Sequence, residues 1–330
     1  MILDYSKEFV CGKLPTRNCH ASTVLPMEDG RVVTAWFGGT KEKNPDVDIW
    51  YCLRDERGFG KPVRISYSKH LPHWNPVLFR RKNGDIILYF KVGRSIQGWR
   101  TFYCISADGG LTFGKPEELV KGSRNGRGPV KNKCLRLESG RILAPASTEK
   151  KGWKCFADIS DDDGLTFRKS KTVPTEYAVP AFNSGNGFCK NKIPMIQPTL
   201  WENEPGKVHM LTRTAAGRIY RSDSEDAGET WCEAYPTPLP NNNSGIDLVK
   251  TPDGSIYLVS NPVADNWGER SPLTLSLSKD NGRTFETIAE LEKEKEGSEF
   301  SYPAIEYMNG SLFITYTWER KNIAFWKIDI

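Results

Sequence analysis

The stretch Ser106-Ala-Asp108-Gly-Gly110-Leu-Thr112-Phe113 decides the fold, because its pattern recurs along the chain. The other copies of this eight-residue box begin at Ser160, Ser224 and Ser278. In each copy the Asp side chain can accept hydrogen bonds from its own turn, and the Gly can adopt a positive φ. The aromatic residue at the end can fill the gap between neighbouring repeats. We therefore predict that the boxes are structural turns and that their aspartates are not catalytic.

A second phrase marks the other half of each repeat, a turn glycine that opens an apolar run. The glycines of this phrase are Gly30, Gly84, Gly140, Gly206, Gly254 and Gly310, and each follows another short apolar run. Such a pattern predicts a β-hairpin. Dividing 330 residues by six gives 55 per repeat, about what one four-stranded blade requires.

The repeats predict an all-β protein, a six-bladed β-propeller of four-stranded antiparallel blades that occupies residues 1–330 as a single domain. Five or seven blades are the alternative, which six glycine phrases disfavour. The last repeat lacks a box because the chain ends at Lys327-Ile-Asp-Ile330. We expect this end to pair with residues 2–9.

Composition and charge limit the classes of partner that the sequence predicts. The 46 Lys and Arg exceed the 41 Asp and Glu by five, which is too few to predict a nucleic-acid-binding surface. No secretory signal opens the chain, and no apolar run approaches the roughly 18 residues of a membrane span. The sequence thus predicts a cytoplasmic protein with neither nucleic acid nor a membrane as a partner.

The eight cysteines lack C-x-x-C spacing, and the chain has only four His, so we expect buried thiols and no zinc site. No motif implies a metal or an organic cofactor.

The repeat register predicts where a ligand would bind. In a propeller, residues about nine positions before each turn glycine and about seven after it converge on one mouth of the central channel. Before the glycines these positions carry His20, Trp74, Asn75, Lys131, Gln197, Asp247 and Tyr302, and after them Lys91, Arg213 and Asn261. Convergent polar side chains are typical of a ligand site. A solvated central channel is the alternative.

From about residue 16 to 320 the chain resembles the sialidase (neuraminidase) superfamily, and in particular bacterial proteins with BNR-like repeats. The phrase Leu258-Val-Ser-Asn-Pro262, followed by Arg270, is similar to the segment with the third arginine of a carboxylate-binding triad. The stretch His209-Met-Leu-Thr-Arg213 resembles the segment with the second arginine, and Glu299-Phe-Ser-Tyr302 the one with the nucleophilic tyrosine. The resemblance implies that Arg213 and Arg270 bind a substrate carboxylate and that Tyr302 is the nucleophile. It also implies that Asp46, in the loop 38–49, is the acid/base.

These residue types suit an acidic sugar. A 2-keto acid sugar repels a carboxylate nucleophile, which favours a tyrosine as the nucleophile. Guanidinium groups can bind a carboxylate through two hydrogen bonds at once.

Two positions depart from the pattern that the resemblance implies. His20 stands where the resemblance implies the first arginine, and it could be a general acid/base instead. Gln197 stands where the resemblance implies the glutamate that activates the tyrosine, and an amide cannot accept the phenol proton.

Three functions are compatible with this sequence. The first is an exo-acting glycoside hydrolase that removes a terminal acidic sugar from a glycan. The second is a polysaccharide lyase or uronate-directed enzyme, in which Tyr302 or His20 removes the proton α to the substrate carboxylate. The third is a non-catalytic glycan-binding propeller. In each, Lys91 and Lys131 could supply positive charge, and Trp74 could either stack on a sugar ring or pack in the core.

Overall fold

The protein, seen here as a computed structural model, is an all-β, six-bladed β-propeller, as the repeats predict. The structure describes residues 4–124, 126–150, 152–175 and 193–330. Its blades are antiparallel sheets of four strands, and in the first blade a fifth short strand is added. Among the described residues, no helix has the length and apolar character needed to cross a membrane.

The strands follow one another blade by blade. Strand β1 is Asp4–Phe9, and blade 1 comprises β2 to β6 (Asn18–Pro26, Val32–Gly39, Asp48–Asp55, Gly58–Phe59 and Val63–Ile65). Blade 2 comprises β7 to β10 (His73–Arg80, Ile86–Val92, Arg100–Ser106 and Glu117–Glu118), with a short 3-10 helix at Ile96–Gly98. Blade 3 comprises β11 to β14 (Leu135–Arg136, Ile142–Thr148, Lys154–Ser160 and Arg168–Lys169). Blade 4 comprises β15 to β18 (Met195–Glu204, Lys207–Thr214, Arg218–Ser224 and Tyr235–Pro240). Blade 5 comprises β19 to β22 (Asp247–Lys250, Ile256–Ser260, Leu273–Ser278 and Glu286–Glu292), and blade 6 comprises β23 to β25 (Phe300–Met308, Ser311–Trp318 and Asn322–Asp329) together with β1.

The N-terminal strand completes the last blade. Strand β1 pairs antiparallel with β25, so that Asp4 lies opposite Asp329 and Phe9 lies opposite Ala324. This pairing confirms the prediction that the end of the chain pairs with its start. It also satisfies the backbone groups along an edge that the sixth repeat cannot cover with a strand of its own.

The chain divides into two compact units. Unit 1 consists of Met1–Arg124 and Tyr302–Ile330, and unit 2 of Asn125–Ser301. Unit 1 has an apolar core that includes Val33, Ile86 and Phe90. Unit 2 has its own core, which includes Leu143 and Met210.

The boxes are the structural turns that the sequence predicts. Asp108 accepts hydrogen bonds from the amide and the hydroxyl of Thr112, at 2.9 and 2.6 Å, and from the hydroxyl of Ser106 at 2.7 Å. These bonds, chiefly those from Thr112, lower the pKa of Asp108 to about 2. The aromatic Phe113 packs edge-on against Tyr51 of blade 1, with ring centroids 4.9 Å apart. Both oxygens of the carboxylate thus help to hold its own turn.

We expect Gly110→Ala to lower the free energy of unfolding by about 2–4 kcal/mol, because it combines backbone strain with overpacking. Gly110 has φ 85°, and a Cβ there would lie 2.6 Å from Cγ2 of the buried Val33. Gly84→Ala is the matched control, since Gly84 has φ 90° but nothing within 4 Å of an added Cβ. Gly84→Ala should lower the free energy of unfolding by only about 1 kcal/mol. Urea unfolding of both variants measures the difference, and equal losses would contradict the packing role of Gly110.

Candidate functional site

Among the described residues, several innermost strands have a non-glycine residue in the left-handed region close to their start. These residues are Ala21 at φ 54°, Asn75 at 40°, Gln197 at 53° and Tyr302 at 54°. The pairing register shifts beside the first three of them, which is the signature of a β-bulge. Each such residue stores strain of about 1–2 kcal/mol, and strain of this kind concentrates at functional sites. The bulges coincide with the positions that the repeat register predicts to be functional.

In unit 1, Tyr302 of β23 lies against a histidine. The ring centroids of Tyr302 and His20 lie 4.1 Å apart, with the planes inclined by 48°. His20 is buried, and its Nδ1 lies 2.9 Å from the Thr317 hydroxyl oxygen, which also accepts a hydrogen bond from the amide of Ala21. Tyr302 itself is partly exposed. A partly exposed tyrosine therefore has its ring against a well-anchored imidazole ring.

Asp46 lies in the exposed loop between β3 and β4. Both of its carboxylate oxygens accept hydrogen bonds from Thr40, one from the amide and one from the hydroxyl, each at 2.9 Å. Asn44 donates to the same Thr40 hydroxyl oxygen. The loop thus holds the carboxylate in one orientation, and each of its oxygens retains further acceptor capacity.

The other candidates of unit 1 lie inside the protein. Lys91 is fully buried and donates a 2.7 Å hydrogen bond to Thr101, and Asn75 is buried at its bulge. Trp74 is 2% exposed, and its indole nitrogen donates to the carbonyl oxygen of Gly93. Its ring also packs edge-on against Phe37 and Trp99. We therefore correct the sugar-stacking prediction for Trp74 and assign this residue to the core of unit 1.

In unit 2 a buried arginine is held by two amide side chains. Arg213 donates from Nε to Oδ1 of Asn243 at 2.8 Å and from Nη1 to Oε1 of Gln197 at 3.1 Å. Its guanidinium carbon lies 5.6 Å from the ring centres of both Trp153 and Trp267. Gln197 therefore orients Arg213, which explains why an amide at this position is useful even though it cannot be a base.

Asn243 was not predicted from the sequence. Besides holding Arg213, it donates to Asn266 at 2.9 Å, and the preceding Asn242 donates to the carbonyl oxygen of Glu269 at 2.6 Å. These bonds fix the loop between β20 and β21. That loop also carries Trp267, which is 53% exposed and has φ 59°. The run of three asparagines at 241–243 was the available signal.

The same loop carries Arg270. Its Nη1 donates a 2.6 Å hydrogen bond to Glu299, which also accepts one from the Ser301 hydroxyl. The side chain of Arg270 keeps 18% of its surface exposed. Asn261 anchors the start of the loop by donating to the carbonyl oxygens of Pro272 and Phe300.

A buried charged cluster completes unit 2. Asp247 accepts hydrogen bonds from Thr199 at 2.7 Å and from Lys133 at 2.9 Å. Lys131 is buried, and its ammonium group donates to the carbonyl oxygen of Ile246 at 3.0 Å. Burial lowers the pKa of Lys131 to about 7, against the attraction of Asp247. This lysine can therefore change its charge near neutral pH.

The described residues contain no group of three or more His, Cys, Asp or Glu that could hold a metal ion. The cysteines that the structure describes are thiols, buried except for Cys232. Cys189 lies outside the described residues.

The profile of the BNR repeat-like domain family matches residues 30–314. No curated protein matches the chain. Among solved structures, a protein of unknown function from Dyadobacter fermentans superposes with a TM-score of 0.73 at 16% identity, covering 99% of each chain. The NanB sialidase from Streptococcus pneumoniae gives 0.73 at 12% identity over 97% of this chain and 69% of that one. Trypanosoma rangeli sialidase, in complex with the inhibitor DANA, gives 0.74 at 12% identity over 98% of this chain and 59% of that one. At these identities the superpositions establish a shared fold.

Proposed function

The chain belongs to the BNR repeat-like domain family, and from that premise we propose that it is an exo-acting glycoside hydrolase that removes a terminal acidic, sialic-acid-like sugar from a glycan. The observation that carries the proposal is the pair formed by Tyr302 and His20 in unit 1. A partly exposed tyrosine is held in a strained conformation, with its ring 4.1 Å from an anchored imidazole. Such an arrangement suits a nucleophile with a proton acceptor beside it.

The acidic substrate is inferred from the arginines of unit 2. Arg213 is oriented by two amides and two indole rings, and Arg270 by Glu299. Planar forks fixed in this way match the geometry of a carboxylate better than a flexible lysine does. We assign carboxylate binding to both, while Lys131, Asp247 and Asn261 support the surrounding strands and loop.

The proposed reaction proceeds in two steps with retention of configuration. His20 takes the phenolic proton of Tyr302, whose oxygen bonds to the anomeric carbon as the glycosidic C–O bond breaks. Asp46 gives a proton to the leaving oxygen. Water then bonds to the anomeric carbon and displaces the tyrosine oxygen, which recovers its proton from His20, while the proton lost by the water passes to Asp46.

Elimination is the second candidate, and the pair formed by Tyr302 and His20 in unit 1 also supports it. An amide such as that of Gln197 cannot act as the base, whereas an imidazole can. A histidine and tyrosine pair can remove the proton α to a uronate carboxylate and protonate the leaving oxygen, so that a C=C bond forms.

Product masses from a panel of acidic glycans test both candidates. Hydrolysis adds the mass of water, about 18 Da, and releases a free acidic sugar, whereas elimination yields an unsaturated product that absorbs near 235 nm. We expect the hydrolytic product. An unsaturated product would replace the hydrolase with the lyase. Glycan binding without any product would identify a binding module and overturn both enzymatic candidates.

We expect Arg213→Lys to raise KM for an acidic glycoside by about 30-fold, because a lysine cannot reproduce the planar, doubly anchored fork. The matched control is Arg221→Lys. Arg221 is also buried, and its guanidinium carbon lies 5.0 Å from the ring centre of Trp201. Initial-rate kinetics on the two variants measure the effect. A similar change in KM for both would mean that the loss arises from packing rather than from carboxylate binding.

A further inference from the structure

The loop that carries Asp46 is anchored by a histidine of the next blade. His73 is the first residue of β7, and its backbone amide and its ring nitrogen Nδ1 both lie 2.9 Å from the carbonyl oxygen of Val47. Val47 directly follows Asp46 and is itself buried. One residue of blade 2 thus contacts the backbone of blade 1 twice, at the position next to the proposed acid/base.

The contacts of the ring determine which nitrogen carries its proton. The amide of Tyr67 donates a 2.9 Å hydrogen bond to Nε2 of His73. Because a backbone amide can only donate, Nε2 is the acceptor, and in the neutral ring Nδ1 is the nitrogen that donates to Val47. Asp48 lies 3.3 Å from the same Nδ1, and its other oxygen pairs with Nε of Arg64 at 2.7 Å. Burial lowers the pKa of His73, against the attraction of Asp48, which favours the neutral ring.

The base of the loop is closely packed. A Cβ added to Gly39 would lie 2.9 Å from the carbonyl oxygen of Asp46 and 2.9 Å from Cα of Val47, so the two arms of the loop touch there. Thr40, the residue after Gly39, donates two hydrogen bonds to the Asp46 carboxylate. A displacement of the Val47 carbonyl group would therefore move Asp46 relative to Thr40.

From these contacts we propose that His73 is a positioning residue for Asp46, because it holds the Val47 carbonyl group and so keeps the neighbouring carboxyl oriented to protonate the leaving oxygen. The inference rests on the proposed function, and it adds a residue that cannot touch the substrate, since His73 is fully buried. A general acid must lie within hydrogen-bond reach of the leaving oxygen, and a misplacement of about 1 Å can cost about 100-fold in rate. Loss of the anchor should therefore slow the step in which that proton moves.

The test compares two amide replacements of His73. The amide nitrogen of Asn is bonded to Cγ, as Nδ1 of the ring is, so His73→Asn can still donate to Val47. The amide of Gln lies one atom further along, where it can replace Nε2 as the acceptor for Tyr67 but cannot replace Nδ1. Kinetics are measured on two acidic glycosides, one with a sugar aglycone and one with a 4-methylumbelliferyl aglycone, which leaves with little need of a proton.

We expect His73→Gln to lower kcat/KM about 10- to 100-fold for the sugar aglycone and less than about 2-fold for the umbelliferyl aglycone. His73→Asn should stay close to the wild type on both substrates. A merely structural function of His73 would lower both activities together. The inference is therefore wrong if His73→Gln affects the two substrates equally, if it affects neither, or if His73→Asn behaves like His73→Gln.

His209→Gln is the matched control for a loss of stability alone. His209 is another buried histidine, and its Nε2 lies 2.6 Å from Oδ1 of Asn203 in unit 2. Its replacement should lower the midpoint of urea unfolding and leave the ratio of the two activities as it is in the wild type. A change in that ratio in His209→Gln would show that the ratio follows stability, and this result would also overturn the inference.

Amide hydrogen exchange separates the inference from the proposed function. The amide of Thr40 donates to Asp46, and that of Val47 donates to the carbonyl oxygen of Asn44 at 3.1 Å, so exchange over residues 40–47 reports on the loop. If the wild type cleaves neither glycoside, the hydrolase is wrong, while faster exchange in His73→Gln than in His73→Asn supports His73 as the anchor of Asp46. Equal exchange in the two variants refutes the inference, whether or not the wild type is active.

Discussion

Replacing Tyr302 with phenylalanine is expected to lower kcat by about 1,000-fold or more, because it removes the oxygen that forms the covalent bond. The substitution keeps the ring that lies 4.1 Å from His20, and it leaves the backbone at the same φ of 54°. Stability should therefore stay close to that of the wild type. Steady-state kinetics on an acidic glycoside, with urea unfolding in parallel, separates loss of chemistry from loss of fold.

Tyr307→Phe is the matched control. Tyr307 lies on the same strand, β23, and its hydroxyl oxygen accepts a hydrogen bond from the amide of Gly310 at the opposite end of that strand. Losing this hydroxyl should slightly weaken the turn and leave kcat unchanged. If Tyr302→Phe retains more than about a tenth of the wild-type kcat, Tyr302 is not the nucleophile. A fluorinated acidic glycosyl fluoride distinguishes the mechanisms, because only a tyrosine nucleophile gains the mass of the sugar.

The fold could be predicted from the sequence because its signals are local. A box such as Ser106–Phe113 contains both the donors and the acceptors of its own turn, so its structure does not depend on distant residues. The turn glycines behave likewise, as the φ values of 83° at Gly30 and 81° at Gly310 confirm. Repetition of a local signal then determines the number of blades.

For the candidate site residues, the positions along the strands could be predicted from the sequence, but the contacts of the side chains could not. The register placed Gln197 and Tyr302 near strand starts, where the structure has left-handed backbone. It could not reveal that Gln197 binds Arg213, because a β-bulge decides which way each side chain points. Glu42 and Arg320 form an ion pair although they are 278 residues apart, and both lie in loops outside the repeat pattern. Only the folded chain brings such partners together.

The burial of Lys131 could not be predicted either, and its titration gives the last expected result. Lys131 has a pKa of about 7 in the folded protein, lowered by desolvation from its ordinary value of 10.5. Between pH 7 and pH 10.5, Lys131 carries a proton in the unfolded chain but not in the folded chain. The free energy of unfolding therefore rises with pH across this window, and below pH 7 the folded state bears the full penalty of a buried charge.

Lys131→Met should remove this pH dependence. We expect the unfolding free energy of the wild type, minus that of Lys131→Met, to increase by about 4 kcal/mol from pH 7 to pH 10. This is the free energy of releasing one proton over three pH units. Urea unfolding at several pH values measures it. Lys121→Met, at an exposed lysine, is the control and should follow the wild-type slope. If the difference between wild type and Lys131→Met is constant with pH, Lys131 remains charged when buried, and Asp247 together with the carbonyl oxygen of Ile246 must then compensate its charge in full.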